Sequence, residues 1–311
     1  MNHSPTILQS IGRTPLIRLN KVVPQGHGRV MVKLESVNPT GSMKDRMALS
    51  VIEHAETDGR LEPGGGVVEY TGGSTGTSLA LVCAIKGYSL KIVTSDAFSL
   101  EKRKHMKALG ADLIVIPSHG KGITRDLIQS MIGAAREISE QPHVFWTDQL
   151  NNSDAIAGYH ALGEELWQQT DGKVDAFVQA IGTAHSLEGT VAGLRRHHTN
   201  LYVAAVEPEE SAVLSGGTTG THHIEGIGLG IIPPLWNADT VDEIVGVSTA
   251  EARSMARRLA SEEGIFAGTS CGANVVAAIR VAQKLGPDAI VTTLVVDSGL
   301  KYLTTDLYTE D

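Results

Sequence analysis

Lys44 is the residue of this chain whose surroundings point most directly to chemistry. It lies in the segment Asn38–Arg46, rich in small and hydroxyl residues, soon after the apolar run Val30–Leu34. A lysine at such a strand-to-helix junction can be held with its amine neutral, and a neutral amine forms an imine with an aldehyde. Residue type and position therefore indicate covalent binding of pyridoxal phosphate.

A second turn of interest, Thr71–Gly76, follows the strand-like run Val67–Tyr70. Its glycines let a ligand approach the backbone closely, and free N–H groups at a helix start attract carboxylate or phosphate. The same residues match the nucleophile elbow of α/β-hydrolases, with Ser74 as nucleophile. That interpretation is disfavoured because the last histidine is His223 and because Gly268–Gly272 matches the same pattern again. We predict an anion-binding turn.

A third turn, Gly182–Ser186, lies between the apolar run Ala176–Ile181 and the helical pattern Leu187–Arg196. Successive backbone N–H groups and hydroxyls, aimed by a helix dipole, form a cup for a dianionic phosphate. Neither a Walker sequence nor a Gly-x-Gly-x-x-Gly pattern accompanies it, so nucleoside triphosphate and dinucleotide sites are disfavoured.

Length and composition indicate an enzyme-sized α/β protein that acts on small molecules. With 311 residues the chain can form two domains or one large α/β unit, and its net charge of -9 argues against nucleic acid or an anionic membrane as main partner. Cys83 and Cys271 lack metal-site spacing, and the pairs His197–His198 and His222–His223 lack further ligands, so no metal is predicted. Residues Met1–Thr6 show no leader pattern and no apolar run is long enough to span a bilayer, which predicts a cytoplasmic protein.

Apolar strand-like runs alternate with amphipathic helical patterns along the whole chain, which predicts parallel sheets covered by helices. The predicted strands are Val30–Leu34, Val67–Tyr70, Leu90–Thr94, Leu113–Ile116, Ala176–Ile181, Leu201–Val206 and Val291–Val296. The predicted helices are Asp45–Thr57, Thr75–Lys86, Leu100–Leu109, Ile123–Ile138, Ala155–Gln169, Leu187–Arg196, Ala250–Glu263 and Cys271–Leu285. The polar stretch Ser139–Gly158 is predicted to be irregular and to contain a domain crossover. Because ligands of such sheets lie at the carboxyl ends of strands, the turns after Tyr70 and Ile181, and Lys44, are expected to face one cleft.

These segments together resemble one enzyme family across nearly the whole chain. The chain is similar to the cysteine synthases of the cysteine synthase/cystathionine β-synthase family, which are pyridoxal-phosphate enzymes of fold type II. The similar segments are Ile11–Leu16, the Lys44 segment, Thr71–Gly76, Gly182–Ser186, Glu207–Pro208, Glu225–Gly228, Gly268–Ala273 and Asp297–Gly299.

The resemblance implies a role for each of these site residues. Lys44 would bind the cofactor covalently and then act as general base at the substrate Cα. The cofactor phosphate would lie in the cup formed by Gly182, Thr183, Ala184, His185 and Ser186. The substrate carboxylate would be bound by Thr71, Gly72, Ser74, Thr75 and Gln149, with Ser74 also near the 3'-oxygen of the cofactor. Ser270 would hydrogen-bond the pyridine nitrogen.

A neutral hydroxyl at the pyridine nitrogen makes the ring a weaker electron sink than an aspartate would. Loss of a β-leaving group is then favoured over transamination, and the first expectation is O-acetyl-L-serine plus sulfide giving L-cysteine and acetate. Two alternatives remain open. One is β-elimination, as in a serine/threonine dehydratase or a cysteine desulfhydrase, and the other is a low-activity cofactor-binding regulatory protein.

The resemblance also implies an architecture and partners. The fold class is α/β, with two domains of parallel-rich sheets covered by helices, as in the tryptophan synthase β-subunit. A large cofactor-phosphate-binding domain would comprise residues 1–40 and 146–311, and a smaller mobile domain residues 41–145. A homodimer is implied, and the C-terminal tail of a serine acetyltransferase is a candidate partner.

The chain departs from the family pattern in two turns. Cysteine synthases commonly carry Thr-Ser-Gly-Asn-Thr-Gly where this chain has Thr71–Gly76, so Ser74 replaces an asparagine. Their phosphate cup is usually Gly-Thr-Gly-Gly-Thr, and here Ala184 and His185 replace the two glycines. Phosphate binding is expected to persist if φ is negative at both positions. His185 is expected either to contact the phosphate or, as the favoured alternative, to face outward.

Overall fold

The computed structural model describes residues 6–120, 122 and 124–309. Residues 1–5, 121, 123, 310 and 311 lie outside the described residues, and with them all but the last residue of the segment Met1–Thr6 and the first residue of the predicted helix Ile123–Ile138. The described residues form two compact units, one within the ranges 6–11 and 44–158 and the other within 12–43 and 159–309. The domain boundaries expected from the sequence stay a prediction.

The first unit is built on a four-stranded sheet with only parallel pairings. Its strands are β3 (Gly66–Tyr70), β4 (Ser89–Ser95), β5 (Asp112–Ile116) and β6 (Val144–Trp146), in the spatial order β5-β4-β3-β6. Its helices are α1 (Lys44–Asp58), α2 (Ser74–Lys86), α3 (Leu100–Ala108), α4 (Arg125–Ser139) and α5 (Asp154–Ala157). Apolar residues of β3, β4 and α4 form a buried cluster that includes Val68, Tyr70 and Met131. Because side chains alternate along a strand, Glu69 points to the opposite face of this sheet.

The second unit contains a six-stranded sheet. Its strands are β1 (Leu16–Arg18), β2 (Arg29–Leu34), β7 (Ala176–Ala180), β8 (Tyr202–Pro208), β9 (Glu243–Val247) and β10 (Ile290–Val295), in the order β1-β2-β10-β7-β8-β9. All pairings are parallel except β1 with β2. Its helices are α6 (His160–Gln169), α7 (His185–Arg195), α8 (Thr249–Arg258) and α9 (Thr269–Leu285), and a π-helical turn, Leu259–Glu263, continues α8. Strands β7 and β10 are buried throughout, as expected for parallel strands covered on both faces.

All seven predicted strands are present within one or two residues, and three further strands were not predicted. β1 and β6 have three residues each, too few for an alternating pattern, and β9 is a mixed sequence at the edge of its sheet. The prediction that 139–158 is irregular was wrong in part, since β6 and α5 lie there. Among the described residues, no helix combines the length and the apolar composition needed to cross a membrane.

Candidate active site

Lys44 is the first residue of α1 and is half-buried. The turn before it is held by backbone hydrogen bonds: the Gly41 N–H donates to the Asn38 carbonyl at 2.7 Å, and the Met43 N–H donates to Val296 at 2.9 Å. Gly41 has φ of +73°, which a residue with a side chain rarely adopts. The turn that precedes Lys44 is therefore held by a tight backbone hydrogen bond and by the end of a buried strand.

The turn Thr71–Gly73 connects β3 to α2 and leaves the helix start open to a ligand. The Thr71 N–H donates to Val93 at 2.9 Å, and the Thr71 hydroxyl accepts from the Gly73 N–H at 3.1 Å. Within the part of the chain that the structure describes, the N–H groups of Gly72 and Thr75 donate to no backbone carbonyl outside regular elements. N–H groups at the start of a 13-residue helix attract an anion, as predicted for the substrate carboxylate.

Gly72 lies against the ring of Phe98, a residue of the turn between β4 and α3. A Cβ atom at position 72 would lie 2.1 Å from Cδ1 of Phe98 and 2.2 Å from Cγ. The half-buried Phe98 ring thus occupies the space that a side chain at position 72 would need. Glycine is required here by close packing, and the serine common in the resembling family cannot be accommodated unless the ring moves.

We expect Gly72→Ser to lower the free energy of unfolding by about 1–3 kcal/mol, the usual cost of inserting atoms into a packed region. Urea unfolding of the purified variant measures this loss. The double variant Gly72→Ser/Phe98→Ala should lose less than the sum of its two single variants, because removal of the ring relieves the clash.

Gly73→Ser is the matched control for this prediction. A Cβ atom at Gly73 would have no neighbour within 4 Å, and its φ of -145° lies outside the left-handed region that favours glycine. Equal losses for the Gly72→Ser and Gly73→Ser variants would show that the Phe98 ring does not exclude a side chain.

Gln149 lies beside the same turn although it is far along the chain. Its side-chain Nε2 donates to the Tyr70 carbonyl at 2.9 Å, and its backbone N–H donates to Oε2 of Glu69 at 2.9 Å. The structure therefore brings together the substrate-binding residues predicted in this unit. Glu69 was not predicted as a site residue, although a carboxylate in an otherwise apolar strand was a signal that could have found it.

The predicted phosphate cup lies at the start of α7 in the second unit. Gly182 approaches the Gly226 backbone so closely that a Cβ atom would lie 2.4 Å from that carbonyl oxygen. The N–H groups of Thr183, Ala184 and Ser186 donate to no backbone carbonyl among the described residues. Three unengaged N–H groups at the start of an 11-residue helix fit the predicted cup.

One condition placed on this cup is not met, and one expectation was wrong. Ala184 has φ of +70°, a left-handed conformation that costs a residue with a Cβ atom about 1–2 kcal/mol, so φ is not negative there. The ring of His185 does not face outward: the residue is only 1% exposed, and its Nδ1 lies 3.0 Å from the Thr183 hydroxyl. The family glycine at position 184 was the available signal for a left-handed backbone, whereas burial of His185 depends on packing.

Ser186 connects the cup to the core of its unit. Its hydroxyl accepts from Nε2 of Gln179 at 3.0 Å, which leaves the hydroxyl proton for a ligand. Gln179 accepts in turn from Nδ2 of Asn274 at 2.9 Å, and Oδ1 of Asn274 accepts from the Ala180 N–H at 2.7 Å. This buried network was not predicted, but a glutamine inside the apolar strand β7 was its signal.

Ser270 lies in the first turn of α9, and the residue is buried. Its hydroxyl has no hydrogen-bond partner among the described residues, whereas the adjacent Thr269 hydroxyl accepts from the Glu225 N–H at 3.1 Å.

Cys271 is fully buried against Asp297, and burial raises the pKa of its thiol, so it is not an activated nucleophile.

The donors of the second unit fit a phosphorylated pyridine cofactor. The cup supplies N–H groups and a hydroxyl proton for a dianion, and Ser270 supplies a hydroxyl without a protein partner for a ring nitrogen. The described residues contain no group of three or more His, Cys, Asp or Glu side chains that could hold a metal ion.

Comparison with known proteins shows similarity along the full chain. The family model of the pyridoxal-phosphate dependent enzymes matches residues 7–297. A cysteine synthase from Staphylococcus aureus is 42% identical over 308 residues, covering 98% of this chain and 97% of that protein. The crystal structure of a cysteine synthase from Entamoeba histolytica has a TM-score of 0.93 and 37% identity, covering 100% of this chain and 92% of the other. The structure of an O-ureido-L-serine synthase has a TM-score of 0.91 and 35% identity, covering 99% and 96%.

Proposed function

This chain belongs to the family of pyridoxal-phosphate dependent enzymes, and on that premise we propose that it converts O-acetyl-L-serine and sulfide into L-cysteine and acetate. The observation that carries the proposal is the full-length similarity to cysteine synthases. The resemblance, the α/β fold of type II and the cofactor expected from the sequence are thereby confirmed.

The proposed roles follow from the chemistry of the described residues. When bound, pyridoxal phosphate supplies an aldehyde for the amines of Lys44 and of the substrate, and a ring that withdraws electrons from the substrate Cα. Lys44 removes the Cα proton, the bond from Cβ to the acetate oxygen breaks, and the Cβ–S bond forms with sulfide. Lys44 then returns the proton to Cα.

Binding of the anionic groups is assigned to the two helix starts. The N–H groups of Gly72 and Thr75, with the side chains of Thr71, Ser74 and Gln149, orient the substrate carboxylate. The cup of Gly182, Thr183, Ala184, His185 and Ser186 binds the cofactor phosphate. At His185 the structure supports a ring packed against Thr183 and a contribution through the backbone.

Ser270 favours β-replacement over transamination in this proposal. Its neutral hydroxyl accepts from or donates to the pyridine nitrogen but does not stabilise a positive charge there as a carboxylate would. Charge on the substrate Cα is therefore short-lived, and a leaving group on Cβ departs in preference to protonation at the cofactor.

Titration of the cofactor-loaded protein with O-acetyl-L-serine tests this function. We expect the visible absorbance band of the lysine-bound cofactor to decrease, one acetate to be released per site, and added sulfide to restore the band with formation of L-cysteine. Release of a keto acid with or without sulfide would instead identify a β-eliminating enzyme. A spectral change without any product would identify a regulatory protein.

We further propose that the protein is a homodimer, that it acts in the cytoplasm, and that a serine acetyltransferase C-terminal tail can bind to it. These proposals rest on resemblance to cysteine synthases, and the free, buried Cys83 and Cys271 fit a reducing compartment. Sedimentation of the loaded protein tests the dimer. A synthetic tail peptide that fails to compete with O-acetyl-L-serine would contradict the third proposal.

A further inference from the structure

Glu69 is a fully buried carboxylate at the next-to-last position of β3. Oε2 accepts from the Thr147 hydroxyl at 2.5 Å and from the Gln149 N–H at 2.9 Å, and Oε1 accepts from the Tyr70 N–H at 2.8 Å. No cation pairs with it among the residues that the structure describes. Three neutral donors thus hold one buried carboxylate.

The three donors lie in the two segments that carry the proposed substrate-carboxylate site. Tyr70 directly precedes Thr71, and Gln149 donates from its side chain to the Tyr70 carbonyl at 2.9 Å. Glu69 therefore connects the end of β3 to the segment after β6, some 80 positions along the chain. Gln149 is thus bound to β3 at two points, since its backbone N–H donates to Glu69 and its side chain donates to the Tyr70 carbonyl.

Burial of the Glu69 carboxylate lowers the free energy of unfolding. A buried charge without a cation loses its hydration, and an apolar residue of similar size would fit a buried strand at lower cost. Burial raises the pKa of Glu69 to about 7, although the bonds from Thr147, Gln149 and Tyr70 oppose the shift. Because the Glu69 carboxylate destabilises the fold and bonds only to two segments of the proposed substrate site, it indicates a role in that site.

We propose that Glu69 is a positioning residue, which holds Gln149 and the turn after β3 in the geometry that binds the substrate carboxylate. The inference rests on the proposed function and adds to it a residue that contacts neither substrate nor cofactor. The ionised carboxylate accepts all three hydrogen bonds, whereas a protonated carboxyl has fewer acceptor sites for them.

Few other titratable groups surround Glu69. Gly76 of α2 packs on Ile92, the β4 partner of Glu69, so α2 covers this face of the sheet. The titratable residues of the neighbouring elements are Tyr70 on β3, Lys91 on β4, Cys83 and Lys86 on α2, and Asp148 after β6. Lys91 pairs with Val68 on the opposite face, Lys86 is bound to Glu56, and Cys83 stays neutral because burial raises its pKa to about 12. Asp148 is the charged neighbour that acts on Glu69, and it raises the pKa further.

Glu69→Gln tests the proposal because it keeps the size of the side chain but replaces one acceptor oxygen with a donor. We expect amide hydrogen exchange in the segments 70–76 and 147–150 to accelerate about tenfold or more, as when a buried bond is lost. The apparent Kd for O-acetyl-L-serine, from spectral titration, should rise about tenfold while the maximal rate changes less than about threefold. Cofactor affinity should stay unchanged.

Glu62→Gln is the matched control, since Glu62 is an exposed carboxylate of the same unit that pairs with the exposed His143 at 2.8 Å. It should change none of these quantities. An unchanged Kd in Glu69→Gln would overturn the proposal. Parallel losses of cofactor affinity, maximal rate and substrate affinity would also overturn it, because a merely structural role predicts that pattern.

Dependence on pH gives a second readout. As pH falls from 8 to 6, protonation of Glu69 should weaken substrate binding by wild-type protein more than binding by Glu69→Gln, where position 69 does not titrate. Parallel pH profiles would contradict the proposal. If wild-type protein gave no spectral response to O-acetyl-L-serine, the proposed function would fail, and the exchange measurement would still decide whether Glu69 holds the two segments.

Discussion

Substitution of Lys44 by alanine should reduce cysteine formation at least about 1,000-fold, because a positioned general acid–base contributes 10²–10⁴-fold and the covalent bond to the cofactor is lost as well. The residue begins α1 after a turn that is hydrogen-bonded on both sides, so the alanine variant should fold normally. Borohydride reduces a lysine–aldehyde adduct to a stable amine. Mass spectrometry of the reduced wild-type protein should therefore find cofactor mass on the peptide that contains Lys44.

Lys104→Ala is the control for this experiment. Lys104 is an exposed lysine of the same unit, on α3, and its removal should leave both activity and cofactor attachment unchanged. Cofactor mass on any other lysine of the wild-type protein would contradict the assignment of Lys44.

Gly182→Ala should weaken pyridoxal phosphate binding about 100-fold, since two charge-assisted hydrogen bonds at about 1.5 kcal/mol each correspond to that factor. A Cβ atom at position 182 would lie 2.4 Å from the Gly226 carbonyl oxygen. Backbone atoms must then separate, and the N–H groups of Thr183 and Ala184 move out of the cup. Equilibrium titration of the apoprotein with cofactor, followed by absorbance, measures the affinity.

Ala184→Gly gives the contrasting result in the same turn. Glycine keeps the N–H group and adopts the left-handed conformation without the cost of a Cβ atom, so the free energy of unfolding should rise by about 1 kcal/mol. Cofactor affinity should be maintained. If Gly182→Ala bound the cofactor as tightly as Ala184→Gly does, the phosphate would have to bind elsewhere.

Much of this site could be predicted from the sequence because its anion-binding turns lie where helices begin. Thr71–Gly76 and Gly182–Ser186 each follow an apolar strand and precede a helix, and α2 and α7 begin within two residues of the predicted positions. Glycine and hydroxyl residues at such a junction bind anions through local backbone geometry, which needs no knowledge of distant residues.

Side chains that hydrogen-bond to segments far away in the sequence could not be predicted from local sequence patterns. Gln179 and Asn274 are 95 positions apart, and Glu69 and Gln149 are 80 positions apart. Glu69, Gln179 and Asn274 were visible as polar residues in otherwise apolar, buried elements, but their partners depend on strand order and on helix packing. Short edge strands such as β1 and β6 were missed for the related reason that pairing with a neighbour, not their own pattern, makes them strands.

The amino-acid sequence alone determined the alternation of strands and helices, the lysine that can bind an aldehyde and the two anion-binding turns, because these features arise from neighbouring residues. Tertiary structure decided the left-handed backbone at Ala184, the burial of His185, the exclusion of a side chain at Gly72 by Phe98 and the bonds that converge on Glu69. Those properties follow from close packing and from the need of buried polar groups for partners, and both are set by residues far away in the chain.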